Sequence, residues 1–389
     1  MGFLLRLIPW GPIKKALIVL ALALALVAML TAGTAQGRTG VRATLLLTQL
    51  SPGFPVQPQS WFAAEPTRTD VTYALSGGET TAHLYVPGGN GPFAAVLLVP
   101  GVNPAGQNDE RIVNLATGLA RAGMVVMVPW TDPDKEMIVR AEEVGEVVET
   151  FQHMQRFESV DPERSGLGGF CIGASIAAVA AQDPRLRESV AFVNFFGGYY
   201  DASDLLAAIA SETRFYEGVG EPWDPRSLSR EVFTNHVLST VSDQDERELL
   251  AKRFANGNAF VDIDRDTLSP EGRDAFDLLS GPDLEEADRL LSDLPPDFRS
   301  FMQSVSPSTN PELLTTRVLI MHDKADSYVP AAESRRMAAA LEELDGDVYF
   351  SEYEFFDHLD PTRSVGPVKF IGEAFKLNLH LYNILRAAD

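Results

Sequence analysis

A single cysteine in 389 residues excludes an intramolecular disulfide framework and any metal site built from several thiolates. Basic residues are scarce too: 32 Lys and Arg stand against 54 Asp and Glu, for a formal net charge of −22. With no Lys/Arg cluster to form the basic patch that a phosphate backbone needs, nucleic acid is excluded as a partner. There is no internal repeat, and a long apolar run occurs only once, near the N-terminus. What the chain does have is 45% hydrophobic residues, enough to bury a full-sized core.

The apolar run, ALIVLALALALVAMLTAGTAQG, is free of charge between Lys15 and Arg38. As a helix rising about 1.5 Å per residue it is long enough to cross a hydrocarbon core of about 30 Å. Arg6, Lys14 and Lys15 precede it and should stay cytoplasmic, which places the acidic remainder on the far side. The expectation is a short cytoplasmic N-terminus (1–15), a single membrane-spanning anchor (16–36) and an extracytoplasmic domain. The alternative is a signal peptide cleaved near Gly33-Thr34-Ala35, giving a secreted or periplasmic protein. Residues 37–68, with GRTG, SPGFPVQPQS and AAEPTRT, read as a linker.

Beyond the linker, TDVTYALSGGETTAHLYVP alternates apolar and polar residues on both sides of Gly77-Gly78, which predicts a hairpin. AAVLLVP and MVVMVP are continuous apolar runs with DERIVNLATGLARAG between them, the pattern of buried parallel strands joined by a helix. SGLGGF, VAFVNFF, RVLIM and VYFSEYEF predict further strands, with helices between. The stretch 201–312 is far longer than an ordinary connection. Its segments SLSREVFTNHVLSTV, SDQDERELLAKRFANG, SPEGRDAFDLLSG and DLEEADRLLSDL open on Ser or Asp with acidic first turns, which predicts a helical cap. The core is therefore expected in two parts, 69–200 and 313–389.

GLGGFCIGAS places Gly169, Cys171 and Gly173 as Gly-x-Cys-x-Gly between a strand and a helix of small residues. A sharp strand-to-helix turn leaves no room for side chains two residues to either side of its tip. Such a turn lifts Cys171 over the C-terminal edge of the sheet, at a helix N-terminus that favours negative charge. The Ile172 N–H then points to where an oxyanion would form. An arbitrary free cysteine is more often a small buried hydrophobe, but the flanking glycines, strand and helix argue for a nucleophile.

Apart from the cap, the chain from about Thr69 onward resembles an α/β-hydrolase, and its cysteine elbow resembles that of the dienelactone hydrolase branch. The resemblance implies a mostly parallel sheet flanked by helices, the cap inserted before the last two strands, and catalytic residues in the order nucleophile, acid, histidine. In HDKADSYVP it puts the acid at Asp326, just before Val329-Pro330, with Asp323 as the competing carboxylate. In FDHLDP it puts the histidine at His358. Of the other histidines, His83 falls in the hairpin, His153 and His380 in helices and His236 in the cap, while His322 ends a strand. PGVNPAG resembles the family's oxyanion loop, with Pro100 in place of its histidine, and supplies the backbone N–H of Val102 or Asn103. Two departures stand out. Ala174 replaces a frequent second glycine, and no acid lies between Pro100 and Asn108 to contact the resting thiol.

These residues imply a hydrolase of esters or lactones that forms an acyl-enzyme on Cys171, with a small-molecule acyl substrate and neither cofactor nor metal. Pairs such as His322 with Asp323, or Asp357 with His358, lack a third ligand at plausible spacing. An acyltransferase shares the same intermediate, and a non-catalytic envelope binding protein is the alternative outside enzymology. Trp223, Phe215 and Tyr216 are candidates for the cap's apolar underside, with core packing as the competing role for each.

Overall fold

The computed structural model describes residues 33–51, 57–130, 137–216, 218–255, 261–356, 358–359 and 363–389. Its centre is an eight-stranded sheet. The strands are β1 (Thr67–Leu75), β2 (Gly78–Val86), β3 (Phe93–Val99), β4 (Met124–Trp130), β5 (Val160–Phe170), β6 (Phe192–Phe196), β9 (Arg317–Asp323) and β10 (Val348–Tyr353). Their spatial order is β1-β2-β4-β3-β5-β6-β9-β10. β2 pairs antiparallel with both β1 and β4, and the other pairs are parallel. This is the α/β-hydrolase order. β3, β4 and β6 are buried almost throughout, which is why they read as continuous apolar runs rather than alternating ones.

Among the described residues, seven helices cover the faces of this sheet or pack on its edge helices: α1 (Ala35–Leu50), the short α2 (Gln59–Phe62), α3 (Glu110–Arg121), α4 (Glu142–Met154), α5 (Ile172–Gln182), α12 (Ala331–Glu343) and α13 (Pro367–Ala387). Between β6 and β9 the cap contains α6 (Ala202–Ser211), a hairpin of β7 (Thr213–Tyr216) and β8 (Val219–Pro222), then α7 (Ser227–Ser239), α8 (Gln244–Phe254), α9 (Pro270–Leu279), α10 (Leu284–Asp293) and α11 (Pro296–Ser304). Three of its four expected helix starts are capped by Ser or Asp side chains, while α7 starts after Arg226 with no side-chain cap. Asp243, Ser269 and Asp283 each accept a backbone N–H from the first turn that follows. The hairpin β7–β8 and the helices α6 and α11 were not expected from sequence.

The linker expectation for 37–68 is corrected at its start. Thr34 Oγ1 accepts the N–H of Gly37 and opens α1, whose Thr39, Ala43, Leu46 and Gln49 are buried at helical spacing. Gly and Thr in GRTG resemble loop composition, yet this stripe closes against α3 and α13. Leu46 lies so near Gly118 that a Cβ there would sit 2.7 Å from its Cδ1. Thr39 donates its hydroxyl to Asp389, and Gln59 Nε2 donates to the Gly118 carbonyl at 2.8 Å. Most of the expected membrane segment 16–36 lies outside the described residues. Among the described residues no helix is long and apolar enough to cross a membrane. Leu46→Ala should therefore destabilise the protein by about 2–5 kcal/mol, as for a core leucine. Urea unfolding reads this, and a change under about 0.5 kcal/mol, the surface range, would return α1 to linker status.

Candidate active site

Every expected site residue described here lies past the C-terminal end of a strand. Val102 follows β3, Cys171 and Ile172 follow β5, Asp326 follows β9, and His358 follows β10. In an open α/β sheet this edge is where loops converge on a ligand. At the elbow Cys171 adopts φ 53°, ψ −134°, a strained conformation costing about 1–3 kcal/mol. Its N–H donates to the Phe196 carbonyl at 2.9 Å, and its carbonyl accepts from Ala174 N–H at 3.0 Å. The crowding is backbone against backbone. A Cβ on Gly169 would come 2.4 Å from the Gly173 carbonyl oxygen, and one on Gly173 would come 2.4 Å from that of Val99. Gly101, at φ +72°, carries the same constraint from the oxyanion loop, 2.7 Å from the Phe170 carbonyl oxygen. Ala174 is fully buried, and its methyl fits because its neighbour at 198 is glycine, where a Cβ would come within 2.9 Å.

Asp326 is 1% exposed and fully engaged. Its Oδ1 accepts the N–H groups of Tyr328 and Val329 at 2.6 and 3.1 Å, and its Oδ2 accepts from His358 Nδ1 at 2.6 Å. Burial alone would raise its pKa, but the His358 charge, the nearby His322 ring and the hydrogen bond from His358 outweigh burial and hold the carboxyl below its usual range. Burial likewise opposes charge on His358, yet the Asp326 carboxylate and then Cys171, by charge and by hydrogen bonding, push its pKa up to about 10. The histidine stacks on Tyr328, ring centroids 4.3 Å apart. The competing carboxylate, Asp323, turns elsewhere. It pairs with Arg363 at 2.7 Å and accepts the N–H of Phe356, tying down the loop that carries the histidine.

Three residues support the pair in roles that were not read from sequence. His322 stands 3.5 Å from Asp326 Oδ2. Its Nε2 donates to the Val329 carbonyl at 2.9 Å, so its Nδ1 accepts the Ser334 hydroxyl at 2.7 Å, and it braces the acid loop. Gly197, at φ +63°, backs the pair, since a Cβ there would lie 3.4 Å from His358 Cε1. Trp223 of the cap donates its indole N–H to the main-chain oxygen of Asp326 at 3.0 Å. Trp223 is buried in the core, the competing role given for it, and is not among the residues lining the cavity. Phe215 lies exposed on β7, and the Tyr216 side chain is outside the described residues. Among the described residues no three His, Cys, Asp or Glu side chains are grouped to hold a metal ion. Asp357 is not among them.

Half-buried Cys171 opens into a cavity between core and cap. Val102 and Ile172 line it beside the sulfur. Asn103, the alternative to Val102, turns its amide oxygen to the Ala105 N–H at 3.1 Å. The cap contributes α6, α7 and α11 to the lining, chiefly Leu205, Ile209, Val232, Phe233 and Phe301. Further bonds hold it to the acid loop, among them Arg226 N to Ser327 O at 2.8 Å and Ser229 Oγ to Tyr328 O at 3.1 Å.

The proton on His358 depends on Asp326, and this sets a pH test. In the native protein His358 should stay protonated through neutral pH and lose its proton as pH rises through about 10. The stability it contributes is complete below its unfolded pKa of about 6.5 and is lost over that same rise. In Asp326→Asn, burial acts without the carboxylate, and the pKa should fall to the ordinary 6.5 or lower. Histidine ¹⁵N spectra across pH read both, and an unchanged titration in the variant contradicts the assignment.

No family model matches the chain. It is similar to a Bradyrhizobium protein described as a "probable 2-oxo-3-(5-oxofuran-2-ylidene)propanoate lactonase", with 27% identity over 226 residues covering 51% of this chain and 86% of that one. Among solved structures it is similar to carboxyl esterase 2 from Tuber melanosporum, with a TM-score of 0.48 and 15% identity, covering 84% of this chain and 88% of that one. It is also similar to 2,6-dihydroxy-pseudo-oxynicotine hydrolase, with a TM-score of 0.45 and 14% identity, covering 82% and 68%. On strand order and elbow together, the chain has the α/β-hydrolase fold, and it resembles the dienelactone hydrolase branch, being similar to a probable lactonase.

Proposed function

We propose that this α/β-hydrolase cleaves carboxylic esters or lactones through an acyl-enzyme on Cys171. The observation that carries the reading is the Asp326–His358 pair, closed at 2.6 Å and coupled to a cysteine on a glycine-framed elbow that opens into an apolar cavity. In this reading His358, oriented by Asp326, holds the proton of Cys171 as imidazolium beside thiolate. The sulfur attacks the carbonyl carbon, and the backbone N–H groups of Ile172 and Val102 receive the developing oxyanion. The tetrahedral adduct collapses as His358 gives its proton to the leaving oxygen. Water, activated by the now neutral imidazole, attacks the thioester and regenerates the thiol.

The test is turnover of a panel of p-nitrophenyl esters and enol lactones by wild type, Cys171→Ala and Cys171→Ser. Turnover by wild type and a loss of about 10⁴-fold or more in Cys171→Ala is the expected result, the scale of removing a triad nucleophile. A wild-type chain inert to the whole panel, whose Cys171 also resists iodoacetamide, overturns the reading in favour of a binding protein.

The same proposal places the enzyme at a membrane, through residues 16–36 as an anchor with the hydrolase domain on the extracytoplasmic side. The charge-free run behind Arg6, Lys14 and Lys15 supports it. So does α13, which packs on α1 just after that run and exposes Val368, Ile371 and Phe375 to solvent at helical spacing. Alkaline carbonate should leave the full-length chain in the membrane pellet, and release into the supernatant counts against an anchor.

A further inference from the structure

His236 is buried within the cap and has no place in the proposed chemistry. It sits on α7, 6% exposed, and stacks on Phe301 at 5.5 Å with a 24° angle between rings. Its Nε2 accepts the backbone N–H of Val139 at 3.0 Å. A neutral imidazole carries one proton, so this acceptor bond leaves the proton on Nδ1. Burial, with no charged group opposing it, lowers the His236 pKa to about 4, so the ring is neutral at pH 7.

His236 lines the same cavity as Cys171. Among the described residues Nδ1 has no protein partner and is not a sealed, unsatisfied atom. The Nδ1–H is therefore neither paired nor sealed within protein, on a ring that borders the cavity. Two hydroxyls that also line it are used. Tyr199 gives its hydroxyl to Val305 O at 3.0 Å, and Ser229 gives its hydroxyl to Tyr328 O. The described lining contains no Asp, Glu, Lys or Arg. A carboxylate drawn into such a wall is desolvated without a partner, whereas a neutral acceptor finds one aligned donor.

Resting on the acyl-enzyme reading, we propose that His236 is a specificity-determining residue and that the enzyme takes uncharged, largely apolar esters or lactones bearing a second carbonyl or ether oxygen, which accepts the His236 Nδ1–H. This sets the chain apart from the relative, whose name specifies a propanoate. Affinity for the body of the substrate comes from the leucines, valines and phenylalanines of the cap, and the imidazole fixes its register.

The experiment compares kcat/KM on four substrates with six-carbon acyl groups, p-nitrophenyl hexanoate, its 4- and 5-oxo analogues, and mono-p-nitrophenyl adipate, for full-length wild type, His236→Phe and His236→Gln. Wild type should prefer an oxo analogue to hexanoate by on the order of tenfold, the worth of one net hydrogen bond, and should discriminate against adipate more strongly. His236→Phe should abolish the oxo preference while keeping the discrimination against adipate, and His236→Gln, which retains both an acceptor and a donor, should restore part of it. A purely structural role for His236 lowers activity on all substrates alike and leaves the ratios unchanged, which overturns the proposal. So does adipate turned over as fast as hexanoate. If wild type hydrolyses nothing, the hydrolase reading fails, and the pocket is read by binding instead. 5-Oxohexanamide, but not hexanamide, should then shift the ¹⁵N resonance of His236 Nδ1, and equal or absent shifts overturn the inference about His236.

Discussion

One buried carboxylate joins the parts of this molecule that must stay in register. Asp326 accepts from Tyr328, Val329 and His358, stands beside His322, and offers its main-chain oxygen to Trp223 of the cap. A lone carboxylate at such depth is strongly destabilising unless paired and hydrogen-bonded. Its loop, the loop bearing the histidine and the cap are therefore held where they satisfy it. Asp323 repeats the device one turn earlier, joining Arg363 to the backbone of the histidine loop. Two adjacent acids thus divide the work, one orienting the imidazole and the other fixing the chain that carries it.

The elbow is constrained by contact instead of charge. Gly101, Gly169 and Gly173 bring the oxyanion loop, β5 and α5 so near that a methyl group on any of them meets backbone atoms at 2.4–2.8 Å. This backbone packing holds Cys171 at a positive φ, with Ile172 and Val102 beside it. Above it the cap replaces water with aliphatic and aromatic side chains. Exclusion of water would, in the proposed reading, strengthen the interactions of the Asp326–His358 pair and of the proposed oxyanion donors. In the proposed reading the Asp326–His358 pair and the elbow supply reactivity, while the cap chooses the substrate.

How much of this was legible in sequence follows from the range of each interaction. The strands and elbow are local patterns: AAVLLVP, MVVMVP and GLGGFCIGAS carry their periodicity and glycine spacing within a dozen residues. Asp326 and His358 were legible because each follows a recognisable strand in the order that the resemblance supplies. His322 and Gly197 gain meaning only from a neighbour brought close by the fold. Trp223 and His236 were beyond sequence reasoning, since their partners Asp326 and Val139 lie about a hundred residues away. The start of the expected linker was misread because the stripe of Ala43 and Leu46 on α1 is short and its partner surfaces, α3 and α13, come later in the chain.

The central claim is that carbonyl carbon becomes bonded to the Cys171 sulfur during turnover. Rapid-quench mass spectrometry of the full-length chain mixed with a p-nitrophenyl ester tests it directly. The account predicts an adduct of acyl mass that maps to the peptide containing Cys171, is cleaved by hydroxylamine as a thioester, and is absent from Cys171→Ala. Turnover without any such adduct, or with the acyl group on another residue, would contradict it.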